Sequence, residues 1–133
     1  TPSPSAGSAA YSTRIVGYFT NWAQYRPGTA AFFPEDVDPS LLTHAIFAFA
    51  KVSPEFGVLP FEWNDVVDWN ADLGLYARFN ALKHRNPRLK TLVALGGWNF
   101  NYFTSTKWIF PTLAANPADR ATFISNTIAF VRR

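Results

Sequence analysis

Three short runs of almost unbroken apolar residues constrain this chain more than any other feature. They are residues 14–19 (RIVGYF), 43–50 (THAIFAFA) and 90–95 (KTLVAL). Each has the length of a strand and carries β-branched or aromatic residues, a pattern that suits strands covered on both faces, as in a parallel sheet. Between the second and third runs, Leu75, Phe79 and Leu82 recur at helical spacing within 72–86, and Pro87 stops the pattern. Asn116-Pro117 opens another helix, Asn as N-cap and Pro at the first helical position, with Ala121, Ile124, Ile128 and Val131 along one face. Strand, helix, strand, helix is the order of an α/β fold with right-handed crossovers.

The remaining segments read as connections. Residues 21–38 hold two Pro and a Gly, so they form a long loop with a short helix near Pro34; residues 53–72 form a second loop carrying Trp63 and Trp69. Residues 1–13 are uncharged and mostly Pro, Ser, Ala, Thr and Gly, the composition of a flexible linker or a mature N-terminal tail. They lack the basic and apolar regions of a signal peptide. The last helix runs to Arg132-Arg133 with no Gly or Pro to end it, as in a chain cut short inside a fold.

Composition narrows the function. With 133 residues, 48% hydrophobic and 16% charged, the chain is a single ordinary domain in size and too apolar to be disordered. No apolar run approaches the roughly 18 residues of a membrane span. A net charge of +3, scattered along the chain, predicts no nucleic-acid partner. The absence of cysteine excludes disulfides, thiolate metal sites and cysteine nucleophiles. Aromatic residues, by contrast, reach 17%, with five Trp, more than a core this small requires.

Many of those aromatics fall where strands end. The first strand delivers Tyr18 and then Asn21-Trp22, the second Phe49, and the third runs into Gly96-Gly97-Trp98-Asn99. Ligands of α/β proteins bind beyond the carboxyl ends of the strands, so these side chains are expected to line one cleft. Aromatic faces stack on flat partners, and low net charge favours sugar rings over nucleobases.

On these motifs the sequence resembles the chitinases of glycoside hydrolase family 18, in particular the animal chitotriosidase type. The stretches that carry the resemblance are GYFTNWAQYRPG (17–28), DVDPSLLTHAIFAFA (36–50), EWND (62–65) and LYARFNALKHRNPRLKTLVALGGWNF (75–100), in that order, with FVRR at the end of the final helix. The resemblance runs from Arg14 onward. It implies about three βα units from the N-terminal portion of a (β/α)8 barrel, so that 14–133 form part of a secreted catalytic domain acting on β-1,4-linked N-acetylglucosamine polymers.

The same resemblance implies what is missing. The family's D-x-x-D-x-D-x-E run lies on the fourth strand, where its glutamate protonates the leaving oxygen while the substrate's acetamido group attacks the sugar carbon, the substrate-assisted exception among retaining glycosidases. No D-x-D-x-E occurs in the 133 residues, and a full barrel takes at least about 200. No catalytic residue is therefore assigned, and this chain alone is expected not to hydrolyse chitin. Gly17 and Leu42 occupy positions where many animal members pair cysteines, and residues 66–74 look like an insertion.

The resemblance also assigns roles to individual residues. Trp98, after two glycines that permit close approach, becomes the floor under the sugar at the cleavage point; residues alone also allow a core tryptophan. Tyr18 and Phe49, otherwise fillers of a barrel layer, become walls of that innermost sugar site. Trp22 stacks a sugar toward the non-reducing end, and Trp63 is another platform. Glu62 reads equally as a partner for a sugar hydroxyl and as a solvated loop carboxylate, Asn99 as a ligand donor or a cap on the turn after the strand.

Other chemistries fail on spacing. Glu62 and Asp65, three positions apart in one loop, cannot flank a glycosidic bond from opposite sides. His44 and His84 lack acidic neighbours and define no metal site; His44 reads as a hydrogen-bonded strand residue and His84 as helix surface. No phosphate loop, dinucleotide fingerprint, serine elbow or N-glycosylation sequon occurs, and no cofactor is implied. Three functions remain: the sugar-binding N-terminal part of a chitinase, a non-catalytic chitin-binding protein, and a half-barrel that associates with the remainder of a barrel or with itself through unpaired strand edges.

Overall fold

The computed structural model describes residues 13–67 and 73–132. The expected tail, all but Thr13, and Trp69 and Asp72 of the second loop lie outside the described residues. The three apolar runs form β1 (Val16–Thr20), β2 (His44–Val52) and β4 (Lys90–Leu95), with β2 central and parallel to both neighbours. A fourth strand, β3 (Val58–Pro60), folds back antiparallel on the end of β2. It lies inside the segment expected to be a loop. Three residues ending in Pro carry no alternation to read, and only pairing with Ala50–Val52 makes them a strand.

Register places Phe19, Ala45 and Phe47 on one face of the sheet, where they pack with Leu75, Phe79, Leu82 and Leu89. The helix expected over 72–86 begins at Leu75 and forms two pieces, α1 (Leu75–Asn80) and α2 (Leu82–Arg85). Gly74 precedes it because a Cβ there would lie 2.0 Å from the Val66 carbonyl oxygen. The opposite face corrects the expectation of strands covered on both sides. Tyr18, Ile46 and Leu92 stand level across the three strands, with Tyr18 and Leu92 exposed.

Residues 21–41 form four 3₁₀ turns, including the expected one at Pro34–Asp36. Arg78 clamps that turn to α1 through a two-pronged pair with Glu35, both contacts at 2.7 Å, and Arg85 donates to the Glu35 and Val37 carbonyls. After β4 come α3 (Trp98–Tyr102), α4 (Ile109–Ala115) and α5 (Pro117–Val131). Asn116 caps α5 as expected, accepting from the Ala118 and Asp119 amides at 2.9 and 3.4 Å. The side of α5 that packs is not the expected one. Phe123 and Phe130 turn inward, Phe123 onto the cluster of Val52, Phe100, Ile109 and Leu113, and Phe130 edge-on to Tyr76. Ala121, Ile124, Ile128 and Val131 are exposed. Two stripes compete at helical spacing on this helix, and the one holding the larger aromatic surfaces makes the contacts, half-buried, with no residue of α5 fully buried.

Candidate functional site

The carboxyl ends of β1, β2 and β4 open onto a common region. Trp22 lies in the turn Asn21–Tyr25 directly after β1. Its ring stacks on Phe49, with centroids 5.7 Å apart and planes 20° from parallel. Phe49 sits at a bulge, where β2 slips register against β4 between Ala48 and Ala50. A bulge re-aims a side chain, and here it turns the ring toward the sheet end. The ring lies over Gly97, so close that a Cβ on Gly97 would be 2.8 Å from it. Gly96 and Gly97 both take φ near +90°, a conformation glycine alone adopts readily, and so carry the chain beneath the ring and out to Trp98. Trp98 is 80% exposed at the start of α3.

A second aromatic group stands on the loop after β3. The Trp63 indole N–H donates to the Tyr25 hydroxyl at 3.1 Å, and that hydroxyl donates to Glu62 Oε2 at 2.7 Å. Gln24 Nε2 donates to Asn64 Oδ1 at 3.3 Å, and Asn64 Nδ2 returns a bond to Gln24 Oε1 at 2.7 Å. Below these, Asn21 Nδ2 donates to both oxygens of Asp65, at 3.1 and 3.3 Å, and to the Phe49 carbonyl at 3.3 Å. Asp65 Oδ2 also accepts from the Phe61 and Glu62 amides at 3.0 and 2.8 Å. The loops after β1 and β3 are thereby tied together from base to tip.

Asp65 is fully buried, and burial pushes its carboxyl up to about 6, against the hydrogen bonds that favour the charged form; Glu62 adds to the rise. Burial, together with the bond to Glu62, also raises the Tyr25 phenol. Asn21 Oδ1 is buried without a hydrogen-bond partner among the described residues. Asn21, Gln24, Tyr25 and Asp65 escaped the sequence reading as site-builders. A polar Asn directly after an apolar strand was the available signal, since such a side chain is buried only with a partner.

Of the nine expected site residues, the structure brings Trp22, Phe49 and Gly97 into contact and continues through Gly96 and Trp98; Glu62 and Trp63 share Tyr25. Tyr18 is 65% exposed on the open sheet face, two residues short of the end of β1. Asn99 lies within α3, whose N-cap is Gly97, so it does not cap the turn; its carbonyl accepts from the Phe103 amide. His44 Nδ1 lies 2.8 Å from the Thr43 hydroxyl, as suits a hydrogen-bonded strand residue. Among the described residues no three His, Asp or Glu side chains gather as metal ligands. A groove of about 460 Å³ lies elsewhere, on the helical side, lined by Phe47, Tyr76, Phe79 and Phe130 among others and by none of the nine. Chemically, the strand ends offer flat exposed rings with hydrogen-bonding groups and the Glu62 carboxyl beside them, while the buried Asp65 carboxyl is occupied by amides.

Comparison with known proteins places the chain in a family. The profile of Glycosyl hydrolases family 18 matches residues 14–133. Mouse chitotriosidase-1 is 43% identical over 126 residues, covering 95% of this chain and 24% of its own length. Among solved structures, an immunomodulatory chitinase from Trichuris suis superposes with a TM-score of 0.76 at 41% identity, over 90% of this chain and 30% of the other. Human YKL-39, described as a pseudo-chitinase with retained chitooligosaccharide binding, superposes with a TM-score of 0.72 at 33% identity, over 90% and 30%. The chain belongs to glycosyl hydrolase family 18. It spans about a fifth of the length of the curated relatives it matches, 18% and 24% for two of them.

Proposed function

We propose that these residues form a platform for β-1,4-linked N-acetylglucosamine chains, contributed to a secreted chitin-active member of the family. The observation that carries the reading is the aromatic row at the strand ends. Trp22 stacked on Phe49, Phe49 laid over Gly97, and Trp98 held 80% exposed make a surface on which sugar rings stack. Glu62, Trp63 and Tyr25 stand beside it with polar tips suited to hydroxyl and acetamido groups. In this reading Tyr18 and Asn99 complete the innermost sugar site when the sheet is enclosed in a barrel.

The platform binds and does not cleave. Protonating the leaving oxygen requires a carboxylic acid that reaches it, and the D-x-D-x-E run that would supply one is absent from the 133 residues. Asp65, despite its raised pKa, is fully buried and occupied by Asn21 and two amides. That same occupancy supports the runner-up reading, a non-catalytic chitooligosaccharide binder. The open face of Tyr18 and Leu92 supports association with further barrel strands or with a second copy.

Binding is tested by retention on chitin beads and by tryptophan fluorescence titrated with chitotetraose. The wild-type chain is expected to bind, and Trp22→Ala and Trp98→Ala each to weaken binding roughly tenfold. A folded wild-type chain that passes through chitin unretained, with unchanged fluorescence, would sink the reading. Release of reducing sugar by the purified chain would overturn the non-catalytic half of it.

A further inference from the structure

Helix α3 shows an unusual division of its side chains. Phe100 is buried in the cluster with Val52, Ile109 and Leu113 and anchors the helix. Trp98 and Tyr102, four positions apart and so on one face, stay 80% and 68% exposed. Their rings lie nearly parallel, with planes 14° apart and centroids separated by 6.3 Å. Phe103, itself exposed, meets Tyr102 edge-on at 6.1 Å and 70°. The turn that follows is fixed, since the Phe103 carbonyl accepts from the Thr106 and Lys107 amides and Thr106 Oγ1 donates to the Phe100 carbonyl. The rings are therefore presented by a braced segment.

Exposed aromatic surface of this size on an anchored helix calls for an occupant. Its chemistry is set by the surroundings. No residue between Lys90 and Lys107 is charged, and the polar side chains of residues 98–105 are neutral: Asn99, Asn101 (which donates to the Gly97 carbonyl), Tyr102, Thr104 and Ser105. Flat exposed faces on a segment without charge suit a neutral polyhydroxylated ring rather than a phosphate or an acidic peptide. Gly97, directly before Trp98 in the chain, lies against the Phe49 ring of the Phe49–Trp22 stack.

We infer that Tyr102 extends the platform by one further sugar-contacting position, so that an N-acetylglucosamine chain leaving Trp98 continues across the Tyr102 ring, with the phenol oxygen bonding a ring substituent. This rests on the platform reading above and deepens it. Affinity then grows with oligomer length beyond what Trp22, Phe49 and Trp98 alone supply.

Calorimetric titration of the chain with chitin oligomers of increasing length tests this, using wild type, Tyr102→Ala, Tyr102→Phe and Trp98→Ala. Tyr102→Ala sits on an exposed helical position where alanine is well tolerated, so the fold is retained. It is expected to lose roughly three- to tenfold in affinity for the longest oligomer and less than about twofold for the shortest, with Tyr102→Phe keeping most of the gain. Tyr102→Ala isotherms that overlay wild type at every length would overturn the inference while leaving the platform standing. Wild type binding no oligomer, or Trp98→Ala binding as well as wild type, would instead remove the platform and this extension with it.

Discussion

The two ends of the aromatic row are built by different means. At the Trp22–Trp63 end the supports are long-range: Asn21 with Asp65, Gln24 with Asn64 and Tyr25 with Glu62 join residues 37 to 44 positions apart. At the Trp98–Tyr102 end they are local, a helical i,i+4 pair on an anchor residue and a hydrogen-bonded turn. The first end exists only when two loops from different strands have docked. The second pairs its rings within one helix, whose anchor Phe100 packs with Val52 of β2 as well as with Ile109 and Leu113. One half of the platform therefore depends on the docking of two loops, and the other on one helix and the apolar cluster that anchors it.

Asp65→Ala should separate the halves most sharply. It strips the carboxylate from the part-buried Phe61 and Glu62 amides and from Asn21 Nδ2, which keeps the Phe49 carbonyl as an acceptor. Leaving the two amides unpaired costs about 1–3 kcal/mol each, so a loss of about 2 kcal/mol or more is expected in urea unfolding. Where folded protein remains, quenching should show Trp22 and Trp63 loosened, with Trp98 unchanged. Equal loosening at Trp98 would mean the two ends are one cooperative unit.

Gly97→Ala acts where the ends meet. A methyl at φ +94° is strained, and it would also press to 2.8 Å from the Phe49 ring. We expect a cost of about 1–3 kcal/mol and loss of chitin retention, because the ring must leave Gly97 and with it the Trp22 stack. Retention at wild-type strength would show that Phe49 does not position Trp22.

The long-range end also carries a pH signature. The Asp65 carboxyl stands at about 6 against an ordinary 3.8, so the folded chain holds this proton more tightly than the unfolded chain does. Stability from this group rises as pH falls from about 7 through 6 toward 4, and is constant outside that window. The groups facing Asp65 are Glu62, Tyr25 and Tyr76. Glu35, held below its ordinary value of 4.5 by the Arg78 bonds, acts in the opposite sense and withdraws stability as pH drops through its lowered range. Thermal midpoints should thus climb from pH 7 to about 4 and turn down only below that, in the lowered range of Glu35. Asp65→Asn should flatten the climb and leave the downturn.

The same division explains what the sequence disclosed. Local signals were sufficient for the three strands, the Asn116 cap and the Gly96-Gly97-Trp98 turn, because each depends on neighbours within a few residues. The β3 pairing, the Asn21–Asp65 bond and the Tyr25–Glu62 bond depend on partners brought together by folding, and no spacing rule announces them. Helix α5 shows a third case, in which the signal was present twice. Phe123 and Phe130 compete with Ile124, Ile128 and Val131 for contacts, and periodicity cannot rank two stripes of one helix; the larger rings take the half-buried side.

The smallest expected effect on stability, and the finest test of the comparison, is Tyr25→Phe. The ring remains while the hydroxyl that bridges Trp63 Nε1 and Glu62 Oε2 is removed. Both partners are solvent-accessible, so water replaces the lost bonds and unfolding should shift by no more than about 0.5 kcal/mol. Binding should respond differently. Trp63 loses the only side-chain bond described for its indole, and a platform ring that must be ordered by the ligand binds more weakly than one held in advance. A modest loss of chitooligosaccharide affinity at unchanged stability would mean that the cross-loop bonds orient Trp63 for its ligand. Unchanged affinity would mean that packing alone orients Trp63, and that the cross-loop network matters to the fold only through Asp65.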